Sequence, residues 1–245
     1  IEQKNIAFFQ VCQIASEPLF QNIDMAVVLG GDGTILETAR HAAMAGVPVL
    51  GMNLGRLGYL AELEMTELDA LGSIVKGEYS IDERSMLKVS IKSERKGDIY
   101  CGYALNDAVI SNAPKLIDLE LLDNGAAISS YRADGLIIST PTGSTAYSLS
   151  AGGPIVDPKL NYICVTPICP HSLLARPLVF SDSARLEVKN ICVREKLLHL
   201  TLDGRVTYDL YYGDTAVITR SKLTTKLIRV KETNFYAKIR TKKFL

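Results

Sequence analysis

The run Val27-Val28-Leu29-Gly30-Gly31-Asp32-Gly33-Thr34 constrains this chain more than any other. Residues 25–29 are all apolar and read as a buried parallel strand. The strand stops at Gly-Gly-Asp-Gly, and helical spacing follows, with Ile35, Leu36, Ala39, Ala42 and Ala43 on one face. Gly46 closes that helix as its C′ glycine, and residues 47–51 form a second short apolar run. A strand–helix–strand unit of this length implies a parallel sheet with a right-handed crossover. The turn leaves backbone N–H groups free at a helix start, where they and the helix dipole favour an anion, above all phosphate. Glycines let the backbone come close to a ligand. Asp32 is unusual there, because a carboxylate repels phosphates unless it has a task, such as taking a proton from an attacking hydroxyl or organising a metal. The structural alternative is that Asp32 caps the helix.

A second glycine-rich stretch, Asn53-Leu54-Gly55-Arg56-Leu57-Gly58-Tyr59-Leu60, follows the second strand. Loops at strand ends collect ligands in open α/β sheets, and a plain surface loop is the alternative. Thr66 suits the cap of a helix running to about residue 76, stopped by Gly77. Upstream, residues 6–11 have a strand-like run, and no opening strand–helix pair is recognisable before residue 20.

Near Ser80 the texture changes. Leu87, Val89 and Ile91 alternate with Lys88, Ser90 and Lys92, the mark of a half-buried strand. Strand-like runs follow at 100–110, 115–122, 126–132, 136–139, 162–166, 186–189, 196–202, 206–210 and 216–220. Asp123-Asn124-Gly125, Asp203-Gly204 and Tyr212-Gly213-Asp214 supply turns between them. With 245 residues, 47% hydrophobic and 22% charged, the chain is long enough for two small domains. The expectation is an α/β N-terminal domain with a Rossmann-like parallel sheet over 1–82. An all-β, sandwich-like domain follows over 83–233, and the basic, helix-compatible segment 234–245 packs back on the first.

Two polar clusters interrupt the β-rich part. The stretch Ser139-Thr140-Pro141-Thr142-Gly143-Ser144-Thr145-Ala146-Tyr147-Ser148-Leu149-Ser150 concentrates hydroxyls and one tyrosine. Thr142 or Ser144 suits the cap of a short helix there. Hydroxyls at a helix start fit a sugar, an adenine edge or a phosphate, while a self-capping turn is the bland alternative. Arg132 and Asp134-Gly135 lie just before it. Asn106-Asp107 breaks an apolar strand run, and such a pair needs partners, either a structural network or a ligand such as a vicinal ribose diol.

Charge balances at 27 basic and 27 acidic residues, which argues against a general nucleic-acid binder. No apolar run approaches the roughly 18 residues of a membrane span. The five cysteines lack CxxC spacing, and no glycosylation sequon occurs, so the reading is a cytoplasmic protein with reduced thiols. The first residue is Ile rather than Met, and the expectation is a trimmed chain or an incomplete fragment. No GxxxxGK[ST], GxGxxG or HExxH motif is present, and none of the three histidines neighbours a nucleophile motif.

Taken together, Gly30-Gly31-Asp32-Gly33-Thr34, Asn106-Asp107, the stretch from Asp134 through Ser148, Thr166-Pro167-Ile168-Cys169-Pro170-His171-Ser172-Leu173 and Leu202-Asp203-Gly204 resemble bacterial NAD kinase, over most of the chain from about residue 23. The resemblance implies phosphorylation of NAD to NADP by ATP with a divalent metal, Mg2+. It implies Asp32 as the general base that meets the 2′-hydroxyl of the adenosine ribose, with Gly33 against the same nucleotide. Asn106 and Asp107 correspond to positions that bind nucleotide and ribose hydroxyls, Asp134 to one near the nicotinamide end, and Arg132 to one beside that pocket. Thr145, Ala146, Tyr147 and Ser150 match positions that hold the dinucleotide. It further implies a homodimer or homotetramer whose partners are NAD and ATP, with no nucleic acid and no membrane. The chain departs from the family pattern at Arg205, where Gln is common, and at Cys169, where a small residue is usual. Two other readings share features: a lipid kinase of the diacylglycerol or sphingosine type, which has the same glycine turn, and a non-catalytic NAD(P)-binding protein, which would need no Asp32.

Overall fold

The computed structural model describes residues 19–55, 58–231 and 235–241. The strand-like run at 6–11 and the loop residues Arg56 and Leu57 lie outside the described residues. The chain divides into two compact units, one ending at Glu83 and resuming at Thr225, the other spanning Arg84–Thr224.

The first unit opens with β1 (Ala26–Leu29), α1 (Asp32–Ala45) and β2 (Val49–Asn53). β1 and β2 pair in parallel, Ala26 opposite Val49 and Leu29 opposite Met52. Gly46 ends α1 in the left-handed conformation, its N–H reaching the carbonyls of Ala42 and Ala43. β1 is not a fully buried strand, since Val27 and Leu29 are about half exposed; among the described residues it pairs with β2 alone, and an edge strand gives up burial on its open side. β2 is the buried one, with Val49 and Leu50 fully enclosed. β3 (Leu63–Glu64) also runs parallel to β2. A 3-10 turn, Met65–Ala70, then leads into α2 (Leu71–Val75). Its cap is Glu64, not Thr66. Glu64 and Glu67 make a reciprocal capping box, which satisfies two of the orphan N–H groups at once.

The second unit is built from strands. β4 (Ser80–Ser93) enters it and pairs antiparallel with β5 (Gly97–Ala104). β6 (Asp107–Ser111), β7 (Ile117–Asp123), β8 (Ala126–Ala133) and β9 (Gly135–Ser139) follow. The predicted strand at 100–110 is thus two strands, broken at Leu105-Asn106. β7 and β8 form the predicted hairpin, and its two turn residues, Asn124 (φ +50°) and Gly125 (φ +81°), take the left-handed geometry a tight hairpin demands. A 3-10 turn (Thr142–Thr145) and the single-turn α3 (Tyr147–Ser150) replace the one short helix expected. The strands β10 (Tyr162–Ile168), β11 (Leu178–Ser181), β12 (Leu186–Asn190), β13 (Leu197–Leu202), β14 (Val206–Tyr211) and β15 (Thr215–Arg229) complete the set.

One sheet has the order β11-β10-β9-β6-β13-β14, antiparallel throughout. In the other, β12 lies between β7 and the start of β15. The two sheets share one core. Ile110, Leu136, Ile138, Val165 and Leu200 come from the first, and Leu119, Leu121, Leu186, Val188 and Ile218 from the second. Period-2 alternation puts these residues on the inner faces, at roughly 1.5–3 kcal/mol of hydrophobic stabilisation each. The opposite face of the first sheet carries Asp107, Val109 and Ser111 on β6. β15 continues into the first unit, where Leu227 pairs in parallel with Val49 of β2. The last described element, α4 (Phe235–Thr241), belongs to the same unit.

Candidate functional site

Asp32 is the first residue of α1. The N-cap is Gly31, and no side chain makes a capping bond there. The helix-cap reading of Asp32 therefore does not apply. Its carboxylate instead turns to the second glycine-rich loop. Oδ2 accepts from the Tyr59 backbone N–H at 2.8 Å and Oδ1 from the Leu60 N–H at 3.1 Å. The fit is close enough that a Cβ on Gly58 would overlap the Asp32 carboxylate. Gly58 is thus glycine for want of space. Each carboxylate oxygen keeps a lone pair beyond its amide bond, so a partly exposed, oriented acceptor stands at the helix start. Gly33, in the first turn of α1, is exposed beside it. Burial raises the pKa of the Tyr59 phenol, and the charge on Asp32 adds to the shift.

The second unit carries a cavity of about 450 Å³ on the outer face of the β6 sheet. Asn106, Asp107, Ala146, Tyr147, Asp203 and Gly204 line it. Asp203, at the β13–β14 turn with φ +48°, organises this mouth. Its carboxylate accepts three backbone N–H bonds, from Leu105 at 2.8 Å, Asn106 at 2.8 Å and Asp107 at 3.1 Å. Thr140 ties the next layer, its Oγ1 donating to the Leu105 carbonyl at 2.6 Å and accepting from the Gly143 N–H at 3.1 Å. Neither Thr142 nor Ser144 acts as a cap: Pro141 stands at the cap of the 3-10 turn and Ala146 at that of α3, neither with a side-chain bond, and the Gly143 N–H is taken by Thr140. Gly143 lies so close to the Asn106 carbonyl that a Cβ would overlap it. The polar pair Asn106-Asp107 therefore does have partners, through its backbone, and both residues line the cavity. Asp107 is 5% exposed, and its carboxyl is pushed up to about 7, first by burial and then by the neighbouring Asp203 charge.

The expected site residues do not all share this cavity. Asn106, Asp107, Ala146 and Tyr147 line it, and Tyr147 is 47% exposed at its mouth. Among the described residues its lining does not include Thr145, Ser150, Arg132 or Asp134. Thr145 and Ser150 flank Tyr147 in the adjoining turns. Arg132 and Asp134 stand at the other end of the β6–β9 pair, where Gly135 faces Ser111; four strand steps, about 14 Å, separate that end from Asp107. There the Arg132 carbonyl accepts from His171 N–H and the Asp134 N–H donates to Ile168. Among the described residues no three His, Cys, Asp or Glu side chains converge as a metal cage.

In the sequence Asp203 reads as part of a turn and of a segment shared with the family, and the three amides it gathers are not legible there, although an Asp-Gly pair is also the signature of a side chain that bonds nearby backbone. The sequence marks the Gly58 loop without pairing it to Asp32, because nothing local joins residues 27 positions apart.

A parallel strand–glycine turn–helix unit that presents a carboxylate, on one chain with a β-sandwich that carries a cavity, defines the class: an α/β unit joined to a β-sandwich unit. Comparison with known proteins narrows the class. Residues 13–79 match the ATP-NAD kinase N-terminal domain and residues 105–230 the ATP-NAD kinase C-terminal domain. The chain is 45% identical to NAD kinase of Geobacter sulfurreducens over 223 residues, 89% of this chain and 78% of that protein. It is also 45% identical to NAD kinase of Moorella thermoacetica, over 88% of this chain and 70% of that one. Among solved structures, yeast NADH kinase complexed with NADH superposes with a TM-score of 0.81 at 32% identity, over 91% of this chain and 66% of the other. An NAD kinase from Archaeoglobus fulgidus in complex with ATP gives 0.71 at 28%, over 90% and 83%. The chain belongs to the ATP-NAD kinase family. No finding supports the lipid-kinase or the non-catalytic reading. Among the described residues no helix is long and apolar enough to cross a membrane.

Proposed function

We infer that this chain is an NAD kinase that transfers the γ-phosphate of ATP to the 2′-hydroxyl of the adenosine ribose of NAD, yielding NADP and ADP. The observation that carries the mechanism is the Asp32 carboxylate, held by two backbone amides and partly open. A secondary hydroxyl attacks phosphorus poorly unless a base takes its proton as the P–O bond forms, typically a 10²–10⁴-fold effect. In this reading the 2′-oxygen bonds to the γ-phosphorus, the bond to the β,γ-bridging oxygen breaks, ADP leaves and the proton passes to Asp32. Phosphoryl transfer asks the protein for positioning and charge neutralisation more than covalent chemistry. ATP enters as its Mg2+ complex.

The cavity in the second unit supports a dinucleotide site. Asn106 and Asp107 supply an amide and a carboxylic group to ribose or base hydroxyls and amines, and Tyr147 supplies a ring for packing. Thr145, Ala146 and Ser150 extend that wall, and Asp134 and Arg132 would meet the more distant end of the dinucleotide. The free cysteines Cys101, Cys164, Cys169 and Cys192 suit a reducing, cytoplasmic setting. The homodimer or homotetramer implied by the family resemblance is read directly by sedimentation. The test of function mixes the protein with NAD, ATP and Mg2+ and detects NADP with an NADP-specific dehydrogenase. Asp32→Asn is expected to lose about 10³-fold in kcat and to keep measurable NAD binding. Near-normal turnover in that variant would sink the base assignment.

A further inference from the structure

The segment that holds Asp32 is itself held from behind, by the last residue of β15. Arg229 Nη1 donates to the Leu60 carbonyl at 3.0 Å and to Glu62 Oε2 at 3.1 Å, and its Nε donates to Asp82 Oδ2 at 3.0 Å. The Arg229 side chain is 12% exposed and that of Glu62 only 1%. The other oxygen of Glu62 accepts the backbone N–H groups of Val230 and Lys231, at 3.0 and 2.8 Å. The Glu62 N–H donates to Gly51 of β2 at 2.9 Å, while Gly30, at the head of the glycine turn, donates to Met52 of the same strand. Leu60 is therefore gripped on both sides. Its N–H meets Asp32, and its carbonyl meets Arg229.

We propose that Arg229 is a positioning residue for Asp32, fixing the angle of the carboxylate by pinning the Leu60 carbonyl. The proposal rests on the reading of Asp32 as the base. The chemistry suits arginine in particular. A planar guanidinium offers several donors in fixed directions, so one side chain can satisfy a carbonyl and two carboxylates together, whereas an ammonium is a point charge on a flexible stem. A buried ion pair of this kind is weak evidence for added stability, and its contribution here is to orientation. Displacement of a reacting group by about 1 Å is enough to cost about 10²-fold in rate.

The test compares Arg229→Gln and Arg229→Lys in the full chain, each alone and combined with Asp32→Asn. kcat, KM for NAD and ATP, NAD affinity and the melting transition are measured for each. We expect Arg229→Gln to lower kcat about 30-fold with both KM values and the NAD affinity held within about twofold. Arg229→Lys is expected to fold, to melt close to wild type and to fall between the two in kcat. In the Asp32→Asn background neither change should lower the residual turnover further, because an amide that cannot accept the proton has no productive angle to lose. Unchanged kcat in both single variants overturns the proposal. So does an equal fold-loss with and without Asp32, which marks a general structural defect. If Arg229→Gln does not fold, Arg229→Lys carries the same two outcomes. Near-normal turnover of Asp32→Asn alone removes the base reading, and the proposal with it; a dead Asp32→Asn beside a fully active Arg229→Gln removes the proposal only.

Discussion

Asp32 and Asp203 are the same side chain used for opposite purposes. Both carboxylates accept backbone amides, Asp32 from Tyr59 and Leu60, Asp203 from Leu105, Asn106 and Asp107. Asp203 gathers three consecutive N–H groups across the mouth of a cavity and so shapes a backbone that would otherwise leave its donors unpaired. Asp32 takes one amide on each oxygen and presents the rest of its acceptor capacity outward from a helix start. The first arrangement orders the backbone beside a cavity, and the second leaves open the acceptor capacity that the proposed base requires.

The sharpest way to break this comparison is to move Asp32 without changing it. Gly58→Ala adds a Cβ where the carboxylate now lies. Steady-state kinetics should show kcat down about 10²-fold with folding retained; unchanged kcat would mean that the amide-held orientation is not the reactive one. The reciprocal change, Asp203→Ala, should act on stability and binding instead. Denaturant unfolding should register a loss of about 2 kcal/mol for three unpaired amides in a half-buried turn. Calorimetry should show NAD affinity down about 10-fold, with kcat at saturation little changed.

The smallest effect is a pH dependence. The Asp107 carboxyl stands at about 7 in the folded protein against an ordinary value of 3.8. The folded state therefore holds that proton more tightly than the unfolded chain does. The associated stability is fully present below about pH 4 and is lost as pH rises through about 7. Asp107→Asn should flatten this fall, seen as a smaller difference in Tm between pH 5 and pH 8, by a few degrees. NAD affinity, if it needs the carboxylate as acceptor, should rise through pH 7 in wild type and not in the variant.

Much of the fold was legible because its signals are local. The glycine turn after an apolar strand, the Gly46 stop, the Asn124-Gly125 hairpin and the alternation of Leu87, Val89 and Ile91 each depend on neighbours within a few residues. The misreadings occurred where a distant partner decided the outcome. Val27 and Leu29 look like core and are half exposed, because burial depends on what pairs with the open edge of β1. Thr66, Thr142 and Ser144 are all sound caps in isolation, yet Glu64 caps the first turn, and Thr140, outside the second turn, takes its Gly143 N–H, because the backbone groups needing a partner lie elsewhere.

The same division runs through the site. Residue types and their order along the chain determined that a carboxylate stands in a glycine turn, that an Asn-Asp pair breaks an apolar run and that hydroxyls cluster around Tyr147, and these features carried the family resemblance. Only the tertiary structure decided that Asp32 leans on Gly58 rather than capping its helix. It alone decided that Asp203 governs Asn106 from 97 residues away and that Arg229 reaches Leu60 across 169. Hydrogen bonds and close packing act over a few ångströms in space, and sequence distance places no limit on which residues the fold brings within that range.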